Sequence, residues 1–192
     1  MRITGGVLCG RKVAVPDGVI RPAMDRMRES VFAVLGDLGG QSFLDLFSGS
    51  GIIALEASSR GADPVEAVEM DPLKRATLIS NISIAEKRIE CRFMATELYV
   101  RRAKRPFDLI FCDPPFPYRF KQELVRSIAK SKLVLDGTRL LIHRPRQDAM
   151  PDKIESFSLC DRREYGRSIV DFYNFGLKAE NTQDDGTESP AS

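Results

Sequence analysis

A chain of 192 residues with 43% hydrophobic and 29% charged residues has the composition of an ordinary globular domain, long enough to hide roughly 70% of its unfolded surface. No apolar run approaches the roughly 18 residues that span a bilayer, and Met1-Arg2-Ile3-Thr4-Gly5-Gly6 lacks the apolar stretch of a signal peptide, so a cytoplasmic protein without membrane contact is expected. The net charge of +2 conceals a division: Glu180, Asp184, Asp185 and Glu188 stand without a basic residue in 179–192, which leaves +6 on residues 1–178. Residues 1–28 hold Arg2, Arg11, Lys12, Arg21, Arg26 and Arg28 against Asp17 and Asp25. A basic arm on a neutral body fits a polyanionic partner or, equally, a solvated surface.

In chain order, residues 2–15 read as two short strands around a glycine turn, and Pro16-Asp17-Gly18 as a turn. A helix over 23–35 carries Met24, Met27, Val31, Val34 and Leu35 on one face. A strand at 42–47, a helix at 51–60, a strand at 64–69 and a helix at 72–86 follow, the last with Asp71 as its cap and Pro72 in its first turn. Next come a strand at 89–94, a helix at 96–103, a strand at 107–112, a helix at 119–130 and a strand at 138–143. Such alternation demands parallel strands with right-handed crossovers. Segments 154–164 and 168–176 flank Tyr165-Gly166-Arg167 and read as a hairpin. Residues 178–192 are polar and acidic and are expected to be disordered. The fold class is therefore α/β: a doubly wound, mostly parallel, seven-stranded Rossmann-like sheet with an antiparallel C-terminal hairpin and a short N-terminal β-hairpin extension.

Cys9, Cys91, Cys112 and Cys160 show no paired spacing, so reduced thiols are expected. His143 is the only histidine. A His-based zinc site or a Ser-His-Asp triad is disfavoured, and no metal is expected. Acid–base work then falls to carboxylates or water.

Two motifs carry chemistry. Asp113-Pro114-Pro115-Phe116 follows the apolar strand, where ligands of open α/β sheets bind. The paired prolines stiffen a backbone that bears a carboxylate before it and a ring after it. This suits a planar amine: Phe116 stacks on its face, while Asp113 and the Pro114 carbonyl accept its hydrogens. The bland alternatives are a Pro-rich loop and a core aromatic. The second motif is strand 42–47, the small turn Ser48-Gly49-Ser50-Gly51, and a helix. It is followed by an acid, Glu69, 20 positions after Gly49, near the spacing at which a carboxylate meets a ribose. Position 54 is Ala, so this is not the dinucleotide G-x-G-x-x-G, and a nucleoside-like ligand without phosphates is expected.

Together, FLDLFSGSGIIALEASSRGA (Phe43 to Ala62), Glu69-Met70-Asp71 and the DPPF tetrapeptide resemble class I S-adenosylmethionine-dependent N-methyltransferases. Arg2-Ile3-Thr4-Gly5-Gly6, Gly10-Arg11-Lys12, Arg21 to Glu29 and Glu164 to Ser168 narrow this to a resemblance to bacterial 16S ribosomal RNA guanine-N2 methyltransferases of the RsmD type, over residues 2 to 177. The resemblance implies S-adenosylmethionine as cofactor and methylation of a guanine N2 amine, at guanine 966 in the family. The substrate would be 16S rRNA in the small ribosomal subunit or a late assembly intermediate, and the protein a monomer. Asp113, Pro114 and Phe116 would be catalytic. Asp45, Phe47, Gly49, Ser50, Gly51, Glu69, Met70 and Ala95 would bind the cofactor, although Asp45 could merely cap a turn. Arg2, Arg11, Lys12, Arg21, Pro115 and Tyr118 would contact RNA. Arg26 and Arg28 read either as RNA contacts or as an ion-paired helix surface.

The resemblance further implies a division into a basic arm at 1–22, a methyltransferase domain at 23–177 and an acidic tail at 178–192. Ala23-Met24 and Phe93-Met94-Ala95 stand where the family offers hydroxyl and polar side chains, and Pro117-Tyr118 reshapes the lip. Other substrates bearing a planar amine, DNA adenine N6 or a protein glutamine, remain open, as does a non-catalytic RNA-binding assembly factor.

Overall fold

The computed structural model describes residues 1–15 and 22–176, with the side chains of 22–24 left aside. The turn at Pro16-Asp17-Gly18, Arg21, the side chains of Ala23 and Met24, and the acidic segment 178–192 lie outside the described residues. Among the described residues, eight strands form one sheet in the order β3-β2-β1-β4-β5-β8-β7-β6. They are β1 (Phe43–Leu46), β2 (Val65–Val68), β3 (Ile89–Arg92), β4 (Leu109–Cys112), β5 (Arg139–Pro145), β6 (Lys153–Ile154), β7 (Phe157–Tyr165) and β8 (Ser168–Phe175). The eighth, absent from the sequence expectation, is the two-residue β6, which closes onto β7 through Lys153 and Ile154. The pairs β3/β2, β2/β1, β1/β4 and β4/β5 are parallel, whereas β5/β8, β8/β7 and β7/β6 are antiparallel.

The helices are α1 (Pro22–Leu35), α2 (Ile52–Ser59), α3 (Arg75–Ile82), α4 (Thr96–Arg101) and α5 (Lys121–Ala129). Adjacent residues of a parallel strand point to opposite faces, and both faces here are buried. Phe43 and Phe111 join Met27, Phe32, Leu55 and Leu78 on one side. Leu44 and Ile110 join Val100, Leu124 and Ile128 on the other. Helix α2 is buried on nearly every side, which is why IIALEA carries no polar stripe.

Three expectations are corrected. The single helix over 72–86 is a 3₁₀ turn, Pro72–Lys74, followed by α3. Asp71 caps the turn through Leu73 N–H at 2.9 Å, and past Ile82 the Ser83 hydroxyl bonds the Ser80 carbonyl, a local bond that competes with helix. The first fifteen residues form no regular strands: the isolated antiparallel bridge of Arg2 with Lys12 is flanked by short-range pairing, Ile3 N–H to the Arg11 carbonyl and Val13 N–H to the Met1 carbonyl, both at 3.0 Å.

Nor is this segment a free arm. Ile3, Leu8 and Val13 are buried in the α1/α2 core, the Ser59 hydroxyl accepts Leu8 N–H and donates to the Gly5 carbonyl, and the Asn81 amide accepts Ala14 N–H and donates to the Ala14 carbonyl. The third correction concerns Arg28, which is only 2% exposed. It is neither a surface pair nor free for RNA: it bonds Glu56 at 3.1 Å, Asp25 at 2.9 Å and the Arg2 carbonyl at 2.7 Å. Arg26 is exposed.

Candidate active site

Strand β1 lies between β2 and β4, so the chain winds outward in both directions from the β1/β4 pair, and a crevice opens at their carboxyl ends. The register aligns Leu46 with both Val68 and Cys112. The residues just beyond fall level: Asp113 N–H bonds the Leu46 carbonyl at 3.2 Å and Ser48 N–H the Val68 carbonyl at 2.9 Å. The crevice is a cavity of about 1220 Å³ whose wall includes Asp45, Phe47, Gly49, Ser50, Glu69, Met70, His143 and all of Asp113 to Tyr118. Pockets for small ligands measure roughly 300–1,000 Å³; this cavity lies above that range.

On the β1/β2 side, Phe47 turns the chain with a left-handed φ of 65°, a conformation that costs a non-glycine residue about 1–3 kcal/mol. Gly49 follows at φ 57° and Gly51 at φ 80°. Gly51 does not line the cavity. A Cβ there would meet Leu78 at 2.6 Å, so its smallness serves the packing of α2 against α3. The Asn81 amide donates to the Ser50 carbonyl at 2.8 Å and steadies the loop from below.

Glu69 is 4% exposed. It accepts Gly49 N–H at 2.7 Å with one oxygen and Asp71 N–H at 2.8 Å with the other. A carboxylate has about four acceptor sites, so capacity for two hydroxyls remains. Met70 is 63% exposed at the cavity wall, an apolar surface that a flat ring can cover.

Asp45 is 1% exposed. One oxygen accepts Ser48 Oγ at 2.6 Å and Ala54 N–H at 3.2 Å, so it does cap the turn. The other, Oδ1, has no partner among the described residues. Burial pushes this carboxyl up from 3.8 to about 7, against the lowering Ser48 hydrogen bond and with help from the Asp113 charge.

On the β4/β5 side, His143 Nδ1 lies 2.7 Å from Asp113 Oδ1. The Phe116 ring meets the imidazole edge-on at 5.7 Å. Phe116 belongs to neither core cluster, so it is a wall residue rather than core filling. Two further residues went unnoticed in the sequence. His143 was set aside as a lone histidine, yet it directly follows Ile142, the register partner of Cys112. Lys121, in α5, is 3% exposed; it donates to the Phe116 carbonyl at 3.3 Å and to the Tyr118 carbonyl, and pairs with Asp148 at 2.7 Å. It pins the backbone after the tetrapeptide. Tyr118 turns back onto Pro115 (N–H to carbonyl, 2.8 Å) and donates to Glu97 at 2.6 Å; burial and that acid push its hydroxyl upward.

Other expected site residues lie elsewhere. Ala95 precedes α4, where its carbonyl accepts from Leu98 and Tyr99, and does not line the cavity. Arg2, Arg11 and Lys12 are exposed on the N-terminal segment and outside the cavity wall, with Arg2 bonded to the Gly10 carbonyl at 3.0 Å. Met1, Arg28, Tyr165 and Arg167 also line the cavity. Among the described residues no acid, Cys or His cluster could hold a metal ion, and no helix is long and apolar enough to cross a membrane.

The wall fits S-adenosylmethionine on its own chemistry. Five carboxyls (Asp45, Glu69, Asp71, Glu97 and Asp113) line the cavity against three basic side chains (Arg28, Lys74 and Arg167), an acidic balance that favours a cationic ligand, and Asp45 Oδ1 is a buried acceptor without a partner among the described residues. Comparison with known proteins agrees. A family profile described as Conserved hypothetical protein 95 matches residues 1–174.

Ribosomal RNA small subunit methyltransferase D of Escherichia coli is 28% identical over 188 residues, 96% of this chain and 94% of the relative. The protein of that name in Haemophilus influenzae is 30% identical over 138 residues, 68% and 72% of the two chains. The solved structure of Escherichia coli yhhF superposes with TM-score 0.83 at 28% identity over 91% of this chain and 97% of that one. The chain thus belongs to the Conserved hypothetical protein 95 family, the S-adenosylmethionine-dependent methyltransferases of the ribosomal RNA small subunit methyltransferase D type.

Proposed function

We propose that this methyltransferase modifies the exocyclic N2 amine of a guanine in 16S ribosomal RNA, within the small subunit or a late assembly intermediate, with guanine 966 as the target position. The observation that carries the reading is Asp113, a carboxylate with one oxygen fixed by His143 at 2.7 Å and with the other unbonded among the described residues, beside a flat aromatic wall at the switch point. The likeness to the ribosomal RNA small subunit methyltransferases of Escherichia coli and Haemophilus influenzae supports ribosomal RNA over DNA adenine or protein glutamine.

S-adenosylmethionine supplies, when bound, a methyl group made electrophilic by its sulfonium. Glu69 accepts the ribose hydroxyls, Met70 covers the adenine, and Asp45 with the Gly49-Ser50 backbone receives the methionine end. Asp113 Oδ2 and the Pro114 carbonyl accept the two amine hydrogens, so that the nitrogen lone pair is aimed rather than left conjugated with the base. Positioning of this kind lowers a barrier by up to about 7–11 kcal/mol. Transfer would break the sulfur–methyl bond as the nitrogen–carbon bond forms, with S-adenosylhomocysteine as the leaving group; Asp113 would stabilise the positive charge that passes to nitrogen and take the proton. Phe116 stacks on a base that has left its own stack.

Arg2, Arg11, Lys12 and Arg21, with Pro115 and Tyr118 at the lip, contact RNA and set its position rather than its sequence. In this reading residues 1–22 serve RNA binding and 23–177 catalysis, with 178–192 an acidic tail, and the protein works as a cytoplasmic monomer without metal. Incubation with labelled methyl donor and undermethylated small subunits, followed by nucleoside analysis, tests the reading. N2-methylguanosine is the expected product; label on adenine N6, on glutamine, or on nothing overturns it.

A further inference from the structure

We propose that His143 is the positioning residue for Asp113, gripping one carboxylate oxygen so that the other stays turned to the amine. The inference rests on the functional reading above and adds to it a residue outside the tetrapeptide.

Parallel pairing of Ile142 with Cys112 brings the following residues, Asp113 just past the end of β4 and His143 within β5, to the same level. The imidazole is 3% exposed, whereas the Asp113 side chain is 22% exposed and stands at the cavity wall. A carboxylate so placed has rotamer freedom unless something holds it, and the Nδ1 contact at 2.7 Å holds it by Oδ1.

The burial of the other ring nitrogen assigns the tautomer. Nε2 has no partner among the described residues. Hydrogen on Nδ1 satisfies the carboxylate and leaves only a lone pair inside the wall. Hydrogen on Nε2 would orphan a buried N–H and set two acceptors against each other. The same ring braces Phe116 edge-on at 5.7 Å and 64°, so one side chain orients both the acceptor of the amine and the platform for the base. Oδ1 is committed to His143, and Oδ2 is left for the substrate.

Two variants separate positioning from packing. His143→Phe keeps a ring against Phe116 and removes the donor; His143→Asn sets an amide N–H near the place of Nδ1. With small subunits as substrate, His143→Phe is expected to lower kcat by about 10–100-fold, with S-adenosylhomocysteine affinity unchanged within about twofold. His143→Asn is expected to recover most of the loss. Wild-type kcat in His143→Phe, or equal losses in both variants, overturns the proposal.

Nitrogen NMR of the imidazole reads the pair without any turnover: the Nδ1–H tautomer is expected in the wild type and its loss in Asp113→Ala, and the Nε2–H tautomer in the wild type contradicts it. A wild-type protein that shows the Nδ1–H tautomer yet methylates no small-subunit RNA would sink the substrate assignment and leave the pair intact.

Discussion

The carboxylate of Glu69, at the end of β2, accepts the Gly49 N–H at 2.7 Å and so ties the second strand of the sheet to the turn after the first. The bond makes the glycine loop and the ribose acid one unit. Because the Gly49 N–H is already spent on Glu69, Gly49 can offer a ligand only its carbonyl and its lack of a side chain, and Glu69 itself must supply the hydroxyl acceptors. Glu69→Ala is expected to weaken S-adenosylhomocysteine binding by about 10–100-fold, or about 1.4–2.8 kcal/mol, in titration calorimetry. An unchanged Kd would remove Glu69 from the cofactor site.

Asp45 links cofactor binding to pH. Its carboxyl ionises near 3.8 in the unfolded chain and near 7 when folded, because burial disfavours the charge. Between those values the folded protein holds the extra proton. The stability from this group is therefore complete below about 3.8 and is lost as pH rises through about 7. Cofactor binding runs the other way: a cation prefers ionised Asp45, so affinity should rise from pH 6 to pH 8 and level off above. Asp45→Asn should flatten both profiles. Equal pH dependence of Kd in wild type and variant would contradict the assignment.

How far the sequence disclosed this site depends on which residues are adjacent in the chain. The β1 turn and α2 were legible because an apolar run, small residues and another apolar run occur consecutively, and each has a local cause. Asp113 was legible because the prolines mark the strand's end. His143 was not, since its meaning comes from the register of β5 against β4 (Ile142 with Cys112), which composition does not encode.

Arg28 was misread for a similar reason. On a helix its neighbours Asp25 and Glu29 imitate a surface pair, while its buried partner Glu56 is 28 residues away. The N-terminal segment misled differently. Ile3, Leu8 and Val13 recur every five residues, a spacing that belongs to neither strand nor helix, and they are buried because Ser59 and Asn81 moor the backbone between them.

The Arg28–Glu56 pair gives a stability prediction. Both side chains are buried, at 3% and 0% exposure, so removing Arg28 leaves the buried Glu56 carboxylate with only Arg60 Nε, at 3.5 Å, as counter-charge. Arg28→Met should cost about 3–5 kcal/mol, or a Tm lower by roughly 6–20 °C for a chain of this length. Because Glu56 also accepts Thr4 N–H at 2.6 Å, the N-terminal segment should lose protection from amide exchange in the variant. A Tm within 2 °C of wild type, on the order of the shift from a single kcal/mol, would place the pair in solvent.

Arg11 and Lys12 are exposed and lie outside the cavity, the disposition of phosphate contacts. Neutralising both should weaken RNA binding alike across sequences and reduce the slope of log K against log salt by about 1.4, at roughly 0.7 per single-strand phosphate. An unaltered slope in filter binding would assign the two residues to solubility.

The central claim is that Asp113 steers and stabilises the amine as it takes up the methyl group. Single-turnover methyl transfer by Asp113→Ala, with cofactor analogue and small subunits both saturating in parallel binding controls, tests it most directly. The account predicts a rate lower by about 10²–10⁴-fold with S-adenosylhomocysteine affinity within twofold of wild type. Transfer at the wild-type rate would contradict it.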